Sequence, residues 1–285
     1  MTHFGLQLPS FTFPDVPDDR MFERIAELAQ AAEASGFDSF WVMDHYHQIG
    51  SVGPPSDPML EAYTVLAGVA ARTSTIKLGA MVTGVTYRNP AFLAKVVTTL
   101  DIVSAGRAIL GIGAAWNEDE SRAYGYDWPS TGERFRRLED ALQICRAMFT
   151  NVRSTHQGTV HSIDRAYNVP QPVQPGGPKI MIGGGGEKRT LRLTARYADM
   201  WNGFGTPREI RHKLDVLAGH CEAVGRDPNE IVTTRLGGIQ LGDPDEIRAF
   251  VKSYAEVGLG GLIFSLPNGS PPEDVERLGR ALTAR

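Results

Sequence analysis

The sequence alternates short apolar runs with amphipathic segments eight times along its 285 residues. Each apolar run predicts a strand, and apolar residues recurring every three or four positions predict the helix after it. Consecutive strand–helix units of this kind form a parallel sheet with right-handed crossovers. The predicted strands are Phe4–Pro9, Ser39–His45, Ile76–Gly84, Ala108–Trp116, Lys179–Gly184, Met200–Gly205, Ile231–Ile239 and Gly261–Leu266.

The predicted helices have recognisable start and stop residues. Asp18 or Asp19 is predicted to cap the first helix, and Ser35-Gly36 to end it. Proline opens three later helices, where its missing N–H costs nothing. The other predicted helices are Glu61–Thr73, Ala91–Val103, Glu133–Phe149, Glu187–Tyr197, Pro207–Gly225, Pro244–Val257 and Pro272–Ala284.

Eight such units favour a closed (β/α)8 TIM barrel, and residues 1–285 are predicted to form a single barrel domain. An open doubly wound sheet would normally carry a glycine-rich turn after its first strand. The first strand here ends in Gln7-Leu8-Pro9-Ser10 instead. The closed barrel is therefore the prediction.

One connection is longer than the others. Predicted strands begin 21 to 37 residues apart, but 71 residues separate Ala108 from Lys179. An insertion between strands four and five, residues 150–178, accounts for the difference. We predict that this excursion lies at the barrel mouth, where it either helps to cover a ligand or is a surface loop without function.

Composition excludes several classes of protein. The net charge of −4 offers no electrostatic basis for binding nucleic acid. No apolar run reaches the roughly 20 residues of a membrane helix, and the N-terminus lacks the pattern of a signal peptide. The two cysteines, Cys145 and Cys221, have neither disulfide nor zinc spacing. A cytoplasmic protein with a small-molecule partner is expected.

Active sites of these barrels lie at the carboxyl ends of the strands, which directs attention to Asp44-His45 after strand two. A carboxylate beside an imidazole can hold the ring's tautomer for proton transfer, or the pair can simply close a strand end. His45 and His47 resemble paired metal ligands, but the later strands end without further His or acidic ligands, so no metal is expected. No lysine ends a strand, which excludes a Schiff-base aldolase.

Four consecutive glycines, Gly183, Gly184, Gly185 and Gly186, follow strand five. Their backbone N–H groups can approach a phosphate at the start of the following helix. The alternative is a tight turn without a ligand.

Apolar side chains are predicted at the same end of the barrel, from Trp116, Trp201, Met81 and Val82. A wall of this kind suits a planar heterocycle. The alternative is ordinary packing at the top of the barrel.

The order of these motifs resembles the bacterial luciferase-like oxidoreductases. The matching segments are Phe40–His45, Ile76–Val82, Asn89-Pro90, Leu110–Gly113, Trp116–Glu118 and the glycine run. The family has a (β/α)8 barrel with an insertion, and its members use FMN or the deazaflavin coenzyme F420. The sequence is similar in style to deazaflavin-dependent members from actinobacteria.

The resemblance implies a cofactor site. Ala80-Met81-Val82-Thr83 would back the ring, with a cis peptide at Met81–Val82 or one residue earlier. The glycine run would bind the phosphate, and Asp44 and His45 would lie near the ring and the substrate. The implied cofactor residues are Asp44, Met81, Val82, Thr83, Trp116, Asn117, Glu118, Gly183, Gly184, Gly185, Gly186 and Trp201.

The function implied is that of an F420-dependent oxidoreductase, which transfers hydride between the coenzyme and a small, largely apolar organic substrate. His45, positioned by Asp44, would give or take the accompanying proton. Trp116 stands where the family's sugar-phosphate dehydrogenases have an acidic residue, so sugar-phosphate oxidation is not expected. The alternatives are an FMN-dependent monooxygenase and a barrel that binds a flavin or deazaflavin without catalysis. A homodimer is expected, since family members are commonly dimers.

Overall fold

The computed structural model describes residues 3–238 and 242–283, and within these ranges the chain alternates strands and helices as predicted. The strands are β1 (His3–Leu8), β2 (Ser39–Val42), β3 (Lys77–Ala80), β4 (Thr83–Gly84), β5 (Ala108–Gly113), β6 (Arg153–Gln157), β7 (Ser162–Tyr167), β8 (Lys179–Gly183), β9 (Met200–Gly203), β10 (Val232–Gly238) and β11 (Gly261–Ser265). The helices are α1 (Met21–Ala34), α2 (Ala62–Ala70), α3 (Pro90–Val103), α4 (Glu118–Ala123), α5 (Thr131–Thr150), α6 (Thr190–Tyr197), α7 (Pro207–Ala223), α8 (Pro244–Ala255) and α9 (Pro272–Thr283).

The strands close into a parallel barrel. Its order is β1, β2, β3, β5, β8, β9, β10 and β11, and β11 pairs again with β1. The two-residue strand β4 continues the line of β3 beyond Met81–Val82 and pairs with β5. The predicted (β/α)8 TIM barrel with an insertion between its fourth and fifth strands is therefore confirmed.

The apolar patterning explains the two layers of the core. Helix α1 buries Ile25, Leu28, Ala29 and Ala32 on one face against the barrel, as their helical spacing predicts. Inside the barrel a second cluster packs together, formed by Trp41, Met81, Ile109, Met181, Met200, Leu236 and Ile263. The barrel interior is thus a packed core, which confines any ligand to the ends of the strands.

Predicted and observed element ends differ by at most three residues within the described ranges, apart from three larger differences. The third predicted strand is broken at Met81–Val82, and neither the helix α4 after β5 nor the strands β6 and β7 of the excursion were predicted. Neither Asp18 nor Asp19 caps α1, because a short 3₁₀ turn, Asp18–Arg20, leads directly into it. The predicted ends Ile239 and Ala284 lie outside the described residues.

The excursion lies beside the barrel, not at the mouth where we predicted it. Strands β6 and β7 form an antiparallel hairpin whose turn is held by Asp140 of α5, which accepts hydrogen bonds from the N–H groups of Thr159, Val160 and His161. Further along, the side chain of Gln174 donates to the Ala108 carbonyl at the start of β5 (2.8 Å). Helix α5 has by then returned the chain to the N-terminal end of the barrel.

Strand β5 approaches β3 very closely at Gly111. A Cβ atom added there would lie 2.1 Å from the Ala80 carbonyl oxygen and 3.3 Å from Val82 Cγ1. The oxygen belongs to the backbone and cannot rotate away, so this position requires glycine.

We predict that Gly111→Ala lowers the free energy of unfolding by about 1–3 kcal/mol, because the added methyl group overpacks the backbone. Gly219→Ala is the matched control, because an added Cβ there has no neighbour within 4 Å. It should be neutral or stabilise α7 by up to about 1 kcal/mol. Urea denaturation gives the free energy of unfolding of both variants. If Gly111→Ala proves as stable as the wild type, β3 and β5 can separate locally to admit the methyl group.

Candidate active site

A cavity of ≈ 360 Å³ lies at the carboxyl ends of the barrel strands. Its volume falls in the range of about 300–1,000 Å³ that is usual for ligand pockets. Most of the predicted site residues line it, namely Asp44, His45, Met81, Val82, Thr83, Trp116, Asn117, Gly183 and Gly184. The sequence therefore located the cavity, but several residues contact different partners from those predicted.

His45 is held by a residue that sequence reasoning missed. Its Nδ1 lies 2.7 Å from Oε2 of Glu120, which is fully buried in α4. The same carboxylate accepts hydrogen bonds from the Tyr87 hydroxyl (2.5 Å) and from the N–H groups of Tyr46 and His47. Glu120 thus joins the loops that follow β2, β4 and β5.

The surroundings of Glu120 keep it ionised. Burial opposes ionisation, but the hydrogen bonds from His45, Tyr87 and the Tyr46 backbone outweigh it and lower the Glu120 pKa to about 2. Burial and the contact with Glu120 raise the pKa of Tyr87, so its hydroxyl stays protonated and donates.

An ionised carboxylate only accepts hydrogen bonds, so Nδ1 of His45 carries the proton. Nε2 is the remaining ring nitrogen, and among the described residues it has no hydrogen-bond partner. His45 therefore has one fixed nitrogen and one free nitrogen, on a ring that lines the cavity.

Asp44 does not position His45, which corrects the prediction. Its carboxylate is buried and forms a two-point contact with the Arg88 guanidinium (2.8 and 2.9 Å). It also accepts a hydrogen bond from Gly84 N–H (3.2 Å). Asp44 and His45 are adjacent in sequence but bind different partners. Asp44 stabilises the segment that forms one wall of the cavity.

Electrostatics support an ion pair between Asp44 and Arg88. Burial raises the pKa of Asp44, and the guanidinium and Gly84 N–H oppose that rise. Burial also disfavours the Arg88 cation, but the Asp44 carboxylate outweighs it and raises the pKa of Arg88. Arg88 extends this network to Glu61, 2.7 Å away.

The wall that Asp44 supports is Met81–Val82, and its peptide bond is cis, as the family resemblance implied. Thr83 follows, buried, with its hydroxyl 2.7 Å from that of Tyr63. Close packing continues to the glycine run, because a Cβ on Gly183 would lie 2.9 Å from the Val82 side chain. Only a residue without a side chain fits between this wall and the turn after β8.

Only the first half of the glycine run lies at the cavity. Gly183 and Gly184 line the cavity, whereas Gly185 and Gly186 lie outside its lining and are exposed. Gly184 has φ +122°, a conformation that favours glycine. Helix α6 begins at Thr190, three residues later than predicted, and Thr190 also lines the cavity. Its N-terminal end provides a favourable environment for an anion.

A cation lies on this side of the cavity as well. The Arg134 guanidinium donates to the carbonyls of Ala114 (3.2 Å) and Pro129 (2.7 Å). In the part of the chain that the structure describes, no carboxylate lies within 4 Å of it. Burial lowers the pKa of Arg134, against the attraction of Glu118. An anion in the cavity would provide its missing counter-charge.

Two predicted cofactor residues serve other roles. Trp201 is completely buried below the glycine run, where its indole N–H donates to the Gly184 carbonyl (2.9 Å). Glu118 lies on the outside of α4 and pairs with Arg122 (2.8 Å). Asn117 lines the cavity and also caps α4, because its side chain accepts from the Glu120 N–H. Trp201 supports the glycine turn from behind, and Glu118 does not line the cavity but attracts Arg134, which does.

Sequence patterns could have revealed part of what was missed. Asn117 followed three residues later by Glu120 is a helix-start signal, and it predicts α4 with Glu120 on its first turn. The rim aromatic Phe204 directly follows β9, so the rule that active sites lie at the carboxyl ends of strands could have found it too. Arg134, in α5, has no comparable local signal.

Residues 3–238 and 242–283 contain neither a metal-binding cluster nor a membrane-spanning helix. No group of three His, Cys, Asp or Glu side chains there could hold a metal ion. No helix there combines the length and apolar character needed to cross a bilayer.

Comparison with known proteins places the chain in a family. The model of the luciferase-like monooxygenase family matches residues 2–254, and the chain belongs to this family. An uncharacterised protein of Mycobacterium tuberculosis is 30% identical over 276 residues, which cover 90% of this chain and 93% of that protein. The F420-dependent glucose-6-phosphate dehydrogenase of Kineococcus radiotolerans is 33% identical over 215 residues, covering 74% of this chain and 62% of that enzyme.

The fold is shared with solved structures. The coenzyme F420-dependent tetrahydromethanopterin reductase of Methanopyrus kandleri matches with a TM-score of 0.82 over 98% of both chains. The two sequences are only 17% identical, so the likeness shows the common fold.

We predict that in Glu120→Gln the free energy of unfolding varies less with pH in the acid range than it does in the wild type. The carboxyl has an ordinary pKa of 4.5 and a folded pKa of about 2, so its contribution is complete above 4.5 and is lost as the pH falls through 2. The difference in free energy of unfolding between wild type and Glu120→Gln should therefore narrow over that window.

Urea unfolding at a series of pH values measures this difference. Glu118→Gln, an exposed acid in the same helix, serves as the control and should track the wild type. A difference that stays constant down to pH 2 would show that Glu120 is not held ionised by its contacts.

Proposed function

We propose that this protein is an F420-dependent oxidoreductase that transfers hydride between the deazaflavin coenzyme and a small, largely apolar organic substrate. The observation that carries the proposal is His45, which has one nitrogen bound to ionised Glu120 and, among the described residues, the other without a partner, on the wall of a cavity of ≈ 360 Å³. The F420 dependence of the Kineococcus relative supports the choice of coenzyme.

The residues present fit a phosphate-bearing ring cofactor. Met81 and Val82 supply an apolar wall, and Gly183 leaves room that a side chain would fill. The start of α6 and the cation of Arg134 supply positive charge on the glycine side. We infer that Met81 and Val82 would hold the ring and that Gly184, Thr190 and Arg134 would hold the phosphate.

When bound, the deazaflavin supplies or accepts the hydride. The protein must then orient the substrate and handle one proton. His45 is suited to the second task, because Glu120 fixes its tautomer and orientation while Nε2 stays available to give or take a proton. Asp44 and Arg88 hold the wall in place and do not exchange protons with the substrate.

The apolar character of the mouth supports the proposed substrate class. Trp116 and Phe204 stand at the mouth with exposed rings, and Trp116 contacts His45 edge-to-face at 5.6 Å between centroids. A substrate enclosed by these rings beside His45 would make mainly apolar contacts.

FMN-dependent oxygenation is the second candidate, and the description of the matching family as luciferase-like monooxygenases favours it. The cavity wall and the glycine turn suit either cofactor. The two functions differ in which cofactor binds and in whether oxygen is consumed.

We predict that His45→Gln lowers kcat about 10²–10⁴-fold, the usual loss when a general acid or base is removed. The dissociation constant of the coenzyme should change little, because His45 is assigned to proton transfer. Glu276→Gln is the control and should retain wild-type turnover, since Glu276 is exposed on α9 and does not line the cavity. Steady-state kinetics over a panel of ketones and alcohols gives kcat, and fluorescence titration gives the dissociation constant. Unchanged turnover in His45→Gln would remove it from the mechanism.

We also predict that the protein quenches the fluorescence of added F420 with micromolar or tighter affinity and binds FMN more weakly. Parallel titrations with the two cofactors decide between the candidates. Tight binding of FMN without binding of F420 would overturn the proposal in favour of the monooxygenase.

A further inference from the structure

A groove next to the cavity carries an excess of positive charge. It has a volume of ≈ 200 Å³ and lies between α5 and α6, and we call it the arginine groove. The residues that line it are Gly132, Phe135, Arg136, Glu139, Arg189, Arg192 and Leu193.

The arginine groove adjoins the phosphate side of the cavity. Phe135 lines both spaces, and the Arg189 guanidinium lies 5.5 Å from the centre of its ring. Arg189 also follows the glycine run by three residues. A ligand whose phosphate lies at Gly184 and Thr190 can therefore extend past Phe135 into the groove.

The charge in this groove is not balanced by the protein. Within residues 3–238 and 242–283, no carboxylate lies within 4 Å of Arg136, Arg189 or Arg192. The one acid in the groove, Glu139, is already bound by Arg196 (2.8 Å) and by the Tyr197 hydroxyl (3.0 Å). Three guanidinium groups thus face one space with little opposing charge.

A second groove on the other side of the glycine run differs in this respect. It is lined by Arg208, His212 and Lys213, but Glu187 contacts His212 (3.1 Å) and Lys213 (2.5 Å). Because its cations have their own partner, this groove attracts an anion less strongly than the arginine groove does.

The geometry points to the arginine groove as the binding site for a chain of carboxylates that continues beyond the phosphate of the cavity's ligand. We call this proposed site the tail site. This inference rests on the proposed function. F420 carries glutamyl carboxylates beyond its phosphate, whereas FMN ends at the phosphate. Guanidinium groups bind carboxylates in two-point geometry, so the groove would also favour the deazaflavin over FMN.

The test compares two forms of the coenzyme, F420 with several glutamates and the same molecule without glutamate. Fluorescence titration at low salt gives the dissociation constant of each for the wild type, for Arg136→Gln/Arg192→Gln and for Arg208→Gln. Arg189 is left unchanged because its contact with Phe135 supports the mouth. Thermal unfolding confirms that these exposed substitutions leave the fold intact.

The wild type should bind the glutamylated form about tenfold more tightly, and this preference should shrink as salt screens the charges. The double variant should bind both forms alike, and Arg208→Gln should keep the preference. The tail site alone would be overturned if the wild type bound both forms with equal affinity. It would also be overturned if Arg208→Gln lost the preference for the glutamylated form as fully as the double variant does. If neither form binds, the proposed function fails and the tail site fails with it.

Discussion

The active-site geometry depends on one buried carboxylate. Glu120, in the helix after β5, accepts hydrogen bonds from His45 and the Tyr46 backbone after β2 and from Tyr87 after β4, so its two oxygen atoms join the segments that follow three strands. Such a group is costly to bury alone, and it is stable here because every contact favours the charged form. The loops therefore cannot separate without leaving a buried charge unsatisfied.

A second carboxylate, Asp44, adjoins His45 in sequence but serves a different part of the site. Arg88 and Gly84 N–H bind it and fix the segment behind the proposed ring position. The site thus separates two tasks. Glu120 fixes the tautomer and orientation of His45, and Asp44 fixes the shape of the wall. Substitution of Glu120 should therefore change the orientation of His45, whereas substitution of Asp44 should change the shape of the wall.

The sequence sufficed for the barrel because periodicity and helix-start residues are local properties of the chain. It also located the cavity, because carboxyl ends of strands meet at one face of such a barrel. It did not reveal the partner of His45, since Glu120 lies 75 residues away and Asp44 is the obvious neighbour. Trp201 was misplaced because it alternates with Met200, which faces the barrel interior, so the Trp201 side chain packs in the core layer between the strands and the helices. The position of the excursion could not be predicted either, because it depends on the end of the barrel at which α5 ends.

Because the excursion packs beside the barrel, it does not cover the mouth, where the side chains of Trp116 and Phe204 line the cavity. Trp116 is 63% exposed and Phe204 61%, and of the two only Trp116 contacts His45. Substitutions of Phe204 would alter which molecules enter the cavity without touching the hydrogen bonds between Glu120 and His45. A gene duplicate could therefore acquire a new substrate through a few rim changes, which is how one barrel comes to serve many metabolic roles.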